Sequence, residues 1–222
     1  MEEFLERAGL CLYNAGMDVY LLDLNTLRGR EEAVLSLLSP DRREKALRLR
    51  RPRPRLQSIG AGLLLRYVFG AKSPDHTKAG KPFIPGERCF SLSHSGTRAV
   101  LAIDDQPVGI DVQIFTAPRE ELARRVLTPA ERQWLTGAGA GGFAFLWSRK
   151  EAALKCLGTG ADRPLSSFSV LPEDRPVLDG VTFALYTRGT DGYALSAASA
   201  GESAVFALRS ITAEELMGIE ER

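Results

Sequence analysis

Between Val108 and Gln113 the apolar residues Val108, Ile110 and Val112 alternate with Gly109, Asp111 and Gln113. A period of two is that of a strand with one face buried and the other turned to a cleft, so Asp111 and Gln113 project the same way. Upstream, residues 99–103 form a second apolar run, joined to Val108 through Asp104, Asp105, Gln106 and Pro107, which suit a hairpin turn. The stretch SLSHSG, Ser91 to Gly96, leads into that run, and the strand from Val108 is expected to be its partner. A helical period takes over further on. Trp147, Glu151 and Lys155 recur every four residues, with Lys150 and Leu154 beside them and Gly158 and Gly160 as a stop. Glu151 and Lys155 therefore share a helix face. Taken alone, such a pair is a surface salt bridge worth about 0.3–0.5 kcal/mol.

The same patterns predict further helices over 27–38, 41–50, 57–69, 119–126, 129–136 and 142–157, and strands over 19–24 and 90–93. Pro52 and Pro54 are expected to end the second of these helices. Thr128, Pro129 and Glu131 read in order as an N-cap, a first-turn proline and a capping-box acid. Beyond Pro164, runs at 168–171, 181–186, 193–198 and 204–208 read as an antiparallel sheet. Helices and strands in both halves make the chain α+β. Residues 137–142 are glycine-rich but lack the G-K-[ST] ending of a P-loop, and read as a connection.

Composition narrows the chemistry. With 222 residues and 44% hydrophobic content the chain can bury one large core or two small ones, and no apolar run is long enough to span a membrane. Its three cysteines are widely separated, as expected for reduced thiols, and its first residues are acidic rather than a basic secretory n-region. These features predict a cytoplasmic protein. The first strand starts directly after Met17, so residues 1–16 are expected to be an extension whose deletion leaves activity and stability unchanged. Two histidines and no Cys-x-x-Cys argue against a zinc site. A Ser-His hydrolase is disfavoured too: Ser93 and His94 are neighbours on an extended segment and point to opposite faces, and no G-x-S-x-G elbow occurs.

The motifs G-K-P (Gly80 to Pro82), SLSHSG, VGIDVQ and W-S-R-K-E-A-A-L-K, in this order, together with SPDRREKALRLR (Ser39 to Arg50) and GLLLRYVFG (Gly62 to Gly70), resemble the 4′-phosphopantetheinyl transferases that activate non-ribosomal peptide and polyketide synthetases. The similarity spans about residues 17 to 160. It implies two pseudo-symmetric α/β subdomains, 1–113 and 114–222, with the active site in the cleft between them. It also implies transfer of the phosphopantetheine arm of coenzyme A to a serine of an apo acyl or peptidyl carrier protein, with release of adenosine 3′,5′-bisphosphate. The alternative is a protein that binds coenzyme A or another nucleotide without turning it over.

The resemblance assigns roles residue by residue. Mg²⁺, which takes oxygen ligands and retains waters, would be held by Asp111 and Glu151; at the third position many relatives carry a glutamate, where this chain has Gln113, whose amide oxygen can face a metal without bringing charge. Mg²⁺ is expected to bind loosely without coenzyme A. Glu151 would also accept the serine proton, and Lys155 and Lys150 would stabilise the pyrophosphate. Ser93, His94, Arg42 and Lys45 match positions that hold the 3′-phosphate, and Lys81 is a further phosphate candidate. Arg42 and Lys45 belong to a basic run that continues through Arg43, Arg48, Arg50, Arg51, Arg53 and Arg55, in a chain of net charge +1. As a bare pattern that run suits nucleic acid, a solvated helix face or a nucleotide phosphate; the resemblance favours the last, without nucleic acid or a membrane as partner. An acidic carrier helix would dock on Phe115 and Leu127 beside Arg124 and Arg125, unless those apolar residues are core. Both halves of the site lie in one chain, so a monomer suffices.

Overall fold

The computed structural model describes residues 16–118, 120–160, 163–171, 175–190, 192–200 and 206–218; residues 1–15 of the expected extension, and the expected strand residues 204 and 205, lie outside them. In the first half, β1 (Met17–Asp23) leads through a 3-10 turn, α1 (Glu31–Ser36) and α2 (Pro40–Leu47) to α3 (Pro52–Phe69). A small pair of strands, β2 (Asp75–His76) and β3 (Pro82–Phe83), precedes the hairpin of β4 (Cys89–Ser95) and β5 (Arg98–Asp104). The second half runs through β6 (Val108–Ile114), α4 (Glu120–Val126), α5 (Pro129–Leu135) and α6 (Gly142–Leu157). It continues with the pair β7 (Val177–Leu178) and β8 (Val181–Thr182), then the hairpin of β9 (Ala184–Thr190) and β10 (Tyr193–Ser199).

The two halves repeat one topology. Each begins with a strand, crosses over through helices ending in a long one, and returns as a hairpin whose second strand pairs antiparallel with the first strand. The spatial orders are β1-β5-β4 and β6-β10-β9. β11 (Phe206–Ile211) then returns to the first sheet, parallel to β1, and is followed by α7 (Ala213–Met217).

Several sequence expectations are corrected here. The apolar run at 206–211 joins the first sheet in parallel instead of extending an antiparallel one, and residues 168–171 follow a 3-10 turn without forming a strand. β5 and β6 make no ladder with each other: β5 is committed on both edges to β1 and β4, so β6 opens the second sheet. A division after Gln113 would therefore cut β6. The helix expected over 27–38 shrinks to Glu31–Ser36, because Gly29 takes a φ of 77° that a helix cannot contain. Pro52 ends nothing beyond α2; it opens α3 five residues earlier than expected, since a first-turn residue needs no backbone N–H. The capping box at Thr128 and Glu131 forms as its residues require.

Strand alternation sorts the core into layers. Leu22, Ala99, Leu101 and Ile103 face α3 from one side of the first sheet, while Val19, Leu21, Val100 and Ala102 face the second sheet and meet Val108, Ile110, Val112, Leu195 and Ala197. Those three residues of β6 were the ones predicted to be buried. The other face of β6 lies under α6, and Gly109 makes this possible. A Cβ there would stand 1.9 Å from the Ala152 carbonyl oxygen and 2.4 Å from the Cys156 nitrogen. Helix and strand backbones are therefore nearly in contact two residues before Asp111.

Candidate active site

That close approach brings the Lys155 ammonium to Asp111. Its Nζ donates to Asp111 Oδ1 at 2.6 Å and to the Ile110 carbonyl at 3.2 Å. Asp111 is only 2% exposed, a position at which a carboxylate is retained only if it is hydrogen-bonded. Ser93 Oγ donates to Oδ1 at 2.7 Å and Gln113 Nε2 donates to Oδ2 at 2.9 Å. Gln113, whose amide oxygen was expected to be able to face a metal, meets Asp111 through its nitrogen and steadies that carboxylate.

Glu151 lies one helical turn before Lys155 on the same face of α6. Burial, then the negative charge of Asp111, pushes its carboxyl above the usual range, with Lys155 acting against both. On the other side stands His94. Its ring is exposed, yet the protein around it disfavours the imidazolium, and Lys155 and Arg42 add to this against the pull of Asp111, so its pKa is lowered. Arg42, Lys155, Asp111 and His94 thus share one electrostatic neighbourhood although four separate elements carry them. The Arg42 Nε is buried with no hydrogen-bond partner, while an Nη reaches the Ser58 carbonyl at 3.4 Å. Lys45, three residues on, is exposed.

Glu151 and Lys155 line one wall of a cleft of about 740 Å³, whose other walls include Lys81, Leu92, Arg125, Arg163 and Leu165. Arg125, expected beside a docked carrier helix, lines the cleft instead, and Arg163 was not singled out from the sequence, because it stands in no motif. Lys81, expected to be a phosphate contact, lines the cleft, and its Nζ donates to the carbonyls of Val108 and Cys156, both at 3.1 Å. It stitches the start of β6 to the end of α6, where a cation also meets the negative end of the helix dipole. Burial lowers its pKa.

Two expected site residues are elsewhere. Lys150 was assigned to the pyrophosphate, but its side chain is fully buried and points away from the cleft. It pairs with the equally buried Glu131 at 2.9 Å and donates to the Leu165 carbonyl. Arg149 turns the same way and holds the carbonyls of Val170 and Leu171. A helix with Lys155 on one face must carry Lys150 about 140° away, which is where the 165–171 segment packs. Leu127, assigned to partner docking, is fully buried in the core beneath α6. Phe115 is 37% exposed, its ring against Gly141.

Among the described residues no group of three or more His, Cys, Asp or Glu could hold a metal, and no helix is long and apolar enough to cross a membrane. Two neighbouring carboxylates nonetheless fit a magnesium ion, which commonly takes one or two from the protein and fills its octahedron with phosphate oxygens and water. Asp111 Oδ2 keeps a lone pair beyond the bond from Gln113, and burial together with the charge of Asp111 raises the pKa of Glu151, with Lys155 acting against both.

Fold and site together define an α+β enzyme of two like halves, with Glu151 and Lys155 on the wall of one cleft and the buried Asp111 paired to that lysine. Residues 107–199 match the 4′-phosphopantetheinyl transferase superfamily. A 4′-phosphopantetheinyl transferase of Bacillus subtilis is 31% identical over 161 residues, 66% of this chain and 71% of its own length. The 4′-phosphopantetheinyl transferase Sfp of Bacillus subtilis (strain 168) is 31% identical over 153 residues, 63% of this chain and 68% of its own. Enterobactin synthase component D of Escherichia coli (strain K12) is 31% identical over 96 residues, 41% of this chain and 47% of its own. The chain belongs to the 4′-phosphopantetheinyl transferase superfamily, and its activity is the transfer of phosphopantetheine to a carrier protein.

Proposed function

We propose that the cleft between the halves binds coenzyme A with Mg²⁺ and presents its pyrophosphate to a serine of an apo acyl or peptidyl carrier protein. The observation that carries this is the Lys155–Asp111 pair beside Glu151 on the cleft wall. The serine oxygen would attack the pyrophosphate phosphorus that bears the pantetheine arm. One P–O bond forms, and the bond to adenosine 3′,5′-bisphosphate breaks. Glu151 is suited to take the serine proton, since burial and the charge of Asp111 raise its pKa and make it a better base than an ordinary carboxylate. Lys155 is suited to hold a phosphate oxygen and to stabilise the charge that grows on the departing bisphosphate.

Mg²⁺ held by Asp111 and Glu151 would neutralise pyrophosphate charge. Because Lys155 already compensates Asp111, a metal must compete with that ammonium until phosphate draws the lysine away; hence loose metal binding in the free enzyme. The orphaned Arg42 Nε and the neighbouring His94 favour an anionic group near the end of β4, and the 3′-phosphate is our assignment. Phe115 offers the carrier an apolar contact at the end of β6.

Incubation of an apo carrier protein with coenzyme A, Mg²⁺ and the enzyme, followed by intact-protein mass spectrometry, tests the reaction. Addition of one phosphopantetheine mass by the wild type, lost in Glu151→Gln, is expected. No addition across several carrier types, with coenzyme A still bound, would favour a non-catalytic binding protein.

A further inference from the structure

The two sheets meet at the edges of β4 and β6, and no backbone ladder joins them. Ser91, Ser93 and Ser95 do so instead, their hydroxyls accepting from the N–H groups of Ile110 at 3.1 Å, Val112 at 3.4 Å and Ile114 at 3.2 Å. The constant offset of 19 residues sets β4 and β6 side by side in parallel, with side-chain oxygens standing in for carbonyls. The central serine does more than its neighbours, because its hydroxyl hydrogen is given to Asp111 Oδ1. We propose that Ser93 is a positioning residue that fixes the Asp111 carboxylate for its ligand, and that it does not bind a phosphate of coenzyme A, the role the resemblance gave it.

A serine hydroxyl carries one hydrogen, so a Ser93 that donates to Asp111 has no donor left for a phosphate oxygen. Burial agrees: Ser93 is 8% exposed and Asp111 2%, whereas His94, on the opposite face of β4, is exposed. With Ser93 and Lys155 on Oδ1 and Gln113 on Oδ2, the carboxylate plane is held from both ends. The remaining Oδ2 lone pair then points one way. Partners of this kind typically change metal affinity 10- to 100-fold when removed.

This inference rests on the reading of Asp111 as a metal ligand, and the test separates the two. Mn²⁺ binding to the coenzyme A complex is measured by electron paramagnetic resonance for wild type, Ser93→Ala, Ser95→Ala and Asp111→Asn. The ratio of kcat/KM for coenzyme A to that for its analogue lacking the 3′-phosphate is measured for the serine variants. Ser93→Ala is expected to weaken Mn²⁺ about ten-fold and to leave the preference for the 3′-phosphate unchanged, while Ser95→Ala, which loses an equivalent N–H acceptor, keeps wild-type Mn²⁺ affinity. Should Ser93→Ala fold poorly, Ser93→Cys, with its weak donor, replaces it and is expected to shift affinity in the same direction. Unchanged Mn²⁺ affinity with loss of the 3′-phosphate preference would overturn the proposal. Unchanged Mn²⁺ affinity in Asp111→Asn would instead overturn the ligand assignment beneath it.

Discussion

Gly109 lies directly beneath the carbonyl of Ala152, so close that β6 and α6 touch backbone to backbone with no side chain between them. This contact sets the depth at which Lys155 meets Asp111. Gly109→Ala is expected to lower stability by about 1–3 kcal/mol through overpacking and to reduce kcat by lifting Lys155 away from Asp111. Thermal melts and steady-state rates check both, and a variant that melts and turns over like wild type would mean the helix yields freely.

Lys150 and Lys155 are five residues apart on one helix and should fail differently. Lys150→Met leaves Glu131 charged and buried, a loss of roughly 3–5 kcal/mol that shows as a lower Tm. Lys155→Met takes the cation from the buried Asp111, but Ser93 and Gln113 still donate to that carboxylate, so Tm should fall less than in Lys150→Met while kcat drops by about 100-fold or more, as loss of a transition-state contact does. A Lys150→Met enzyme with normal Tm and lost turnover would return Lys150 to the site.

The raised pKa of Glu151 gives two opposite pH trends. With Glu151 as the proposed base, turnover would draw on its ionised carboxylate, so kcat/KM should fall as pH drops through its folded-state value. Stability of the metal-free protein behaves inversely. The folded state holds the Glu151 proton more tightly than the unfolded chain does, so this group's contribution is lost as pH rises from the ordinary 4.5 through the raised folded value. Glu151→Gln should flatten that slope, measured as the mutant-minus-wild-type difference in Tm across a pH series; a difference of the opposite sign would contradict the assignment.

Phe115 is exposed at the end of β6 with its ring on Gly141. Phe115→Ala should raise KM for the carrier protein several-fold and leave KM for coenzyme A unchanged. Equal changes in both, in separate titrations of the two substrates, would indicate a disturbed fold instead of a lost docking contact.

The chain's own periodicities determined a good deal. Alternation in β6 gave the buried face of Val108, Ile110 and Val112 and the shared side of Asp111 and Gln113. Helical spacing set Glu151 above Lys155, and the Thr128 capping box formed where its residues stand. These are local properties, fixed by backbone geometry within a few residues, so any fold that keeps the strand and the helix keeps them.

Tertiary structure decided what those residues meet. Nothing in the neighbourhood of Lys150 announces that Glu131 waits behind it, nor that Leu127 is sealed beneath α6. S-x-S-x-S reads as a plain strand until a second edge strand is set beside it, and a glycine in an alternating run gives no sign of which helix will lie upon it. Ion pairs, hydroxyl ladders and close approaches depend on which distant elements pack together, and hydrophobic burial, which drives that packing, is indifferent to the polar partners it brings into contact.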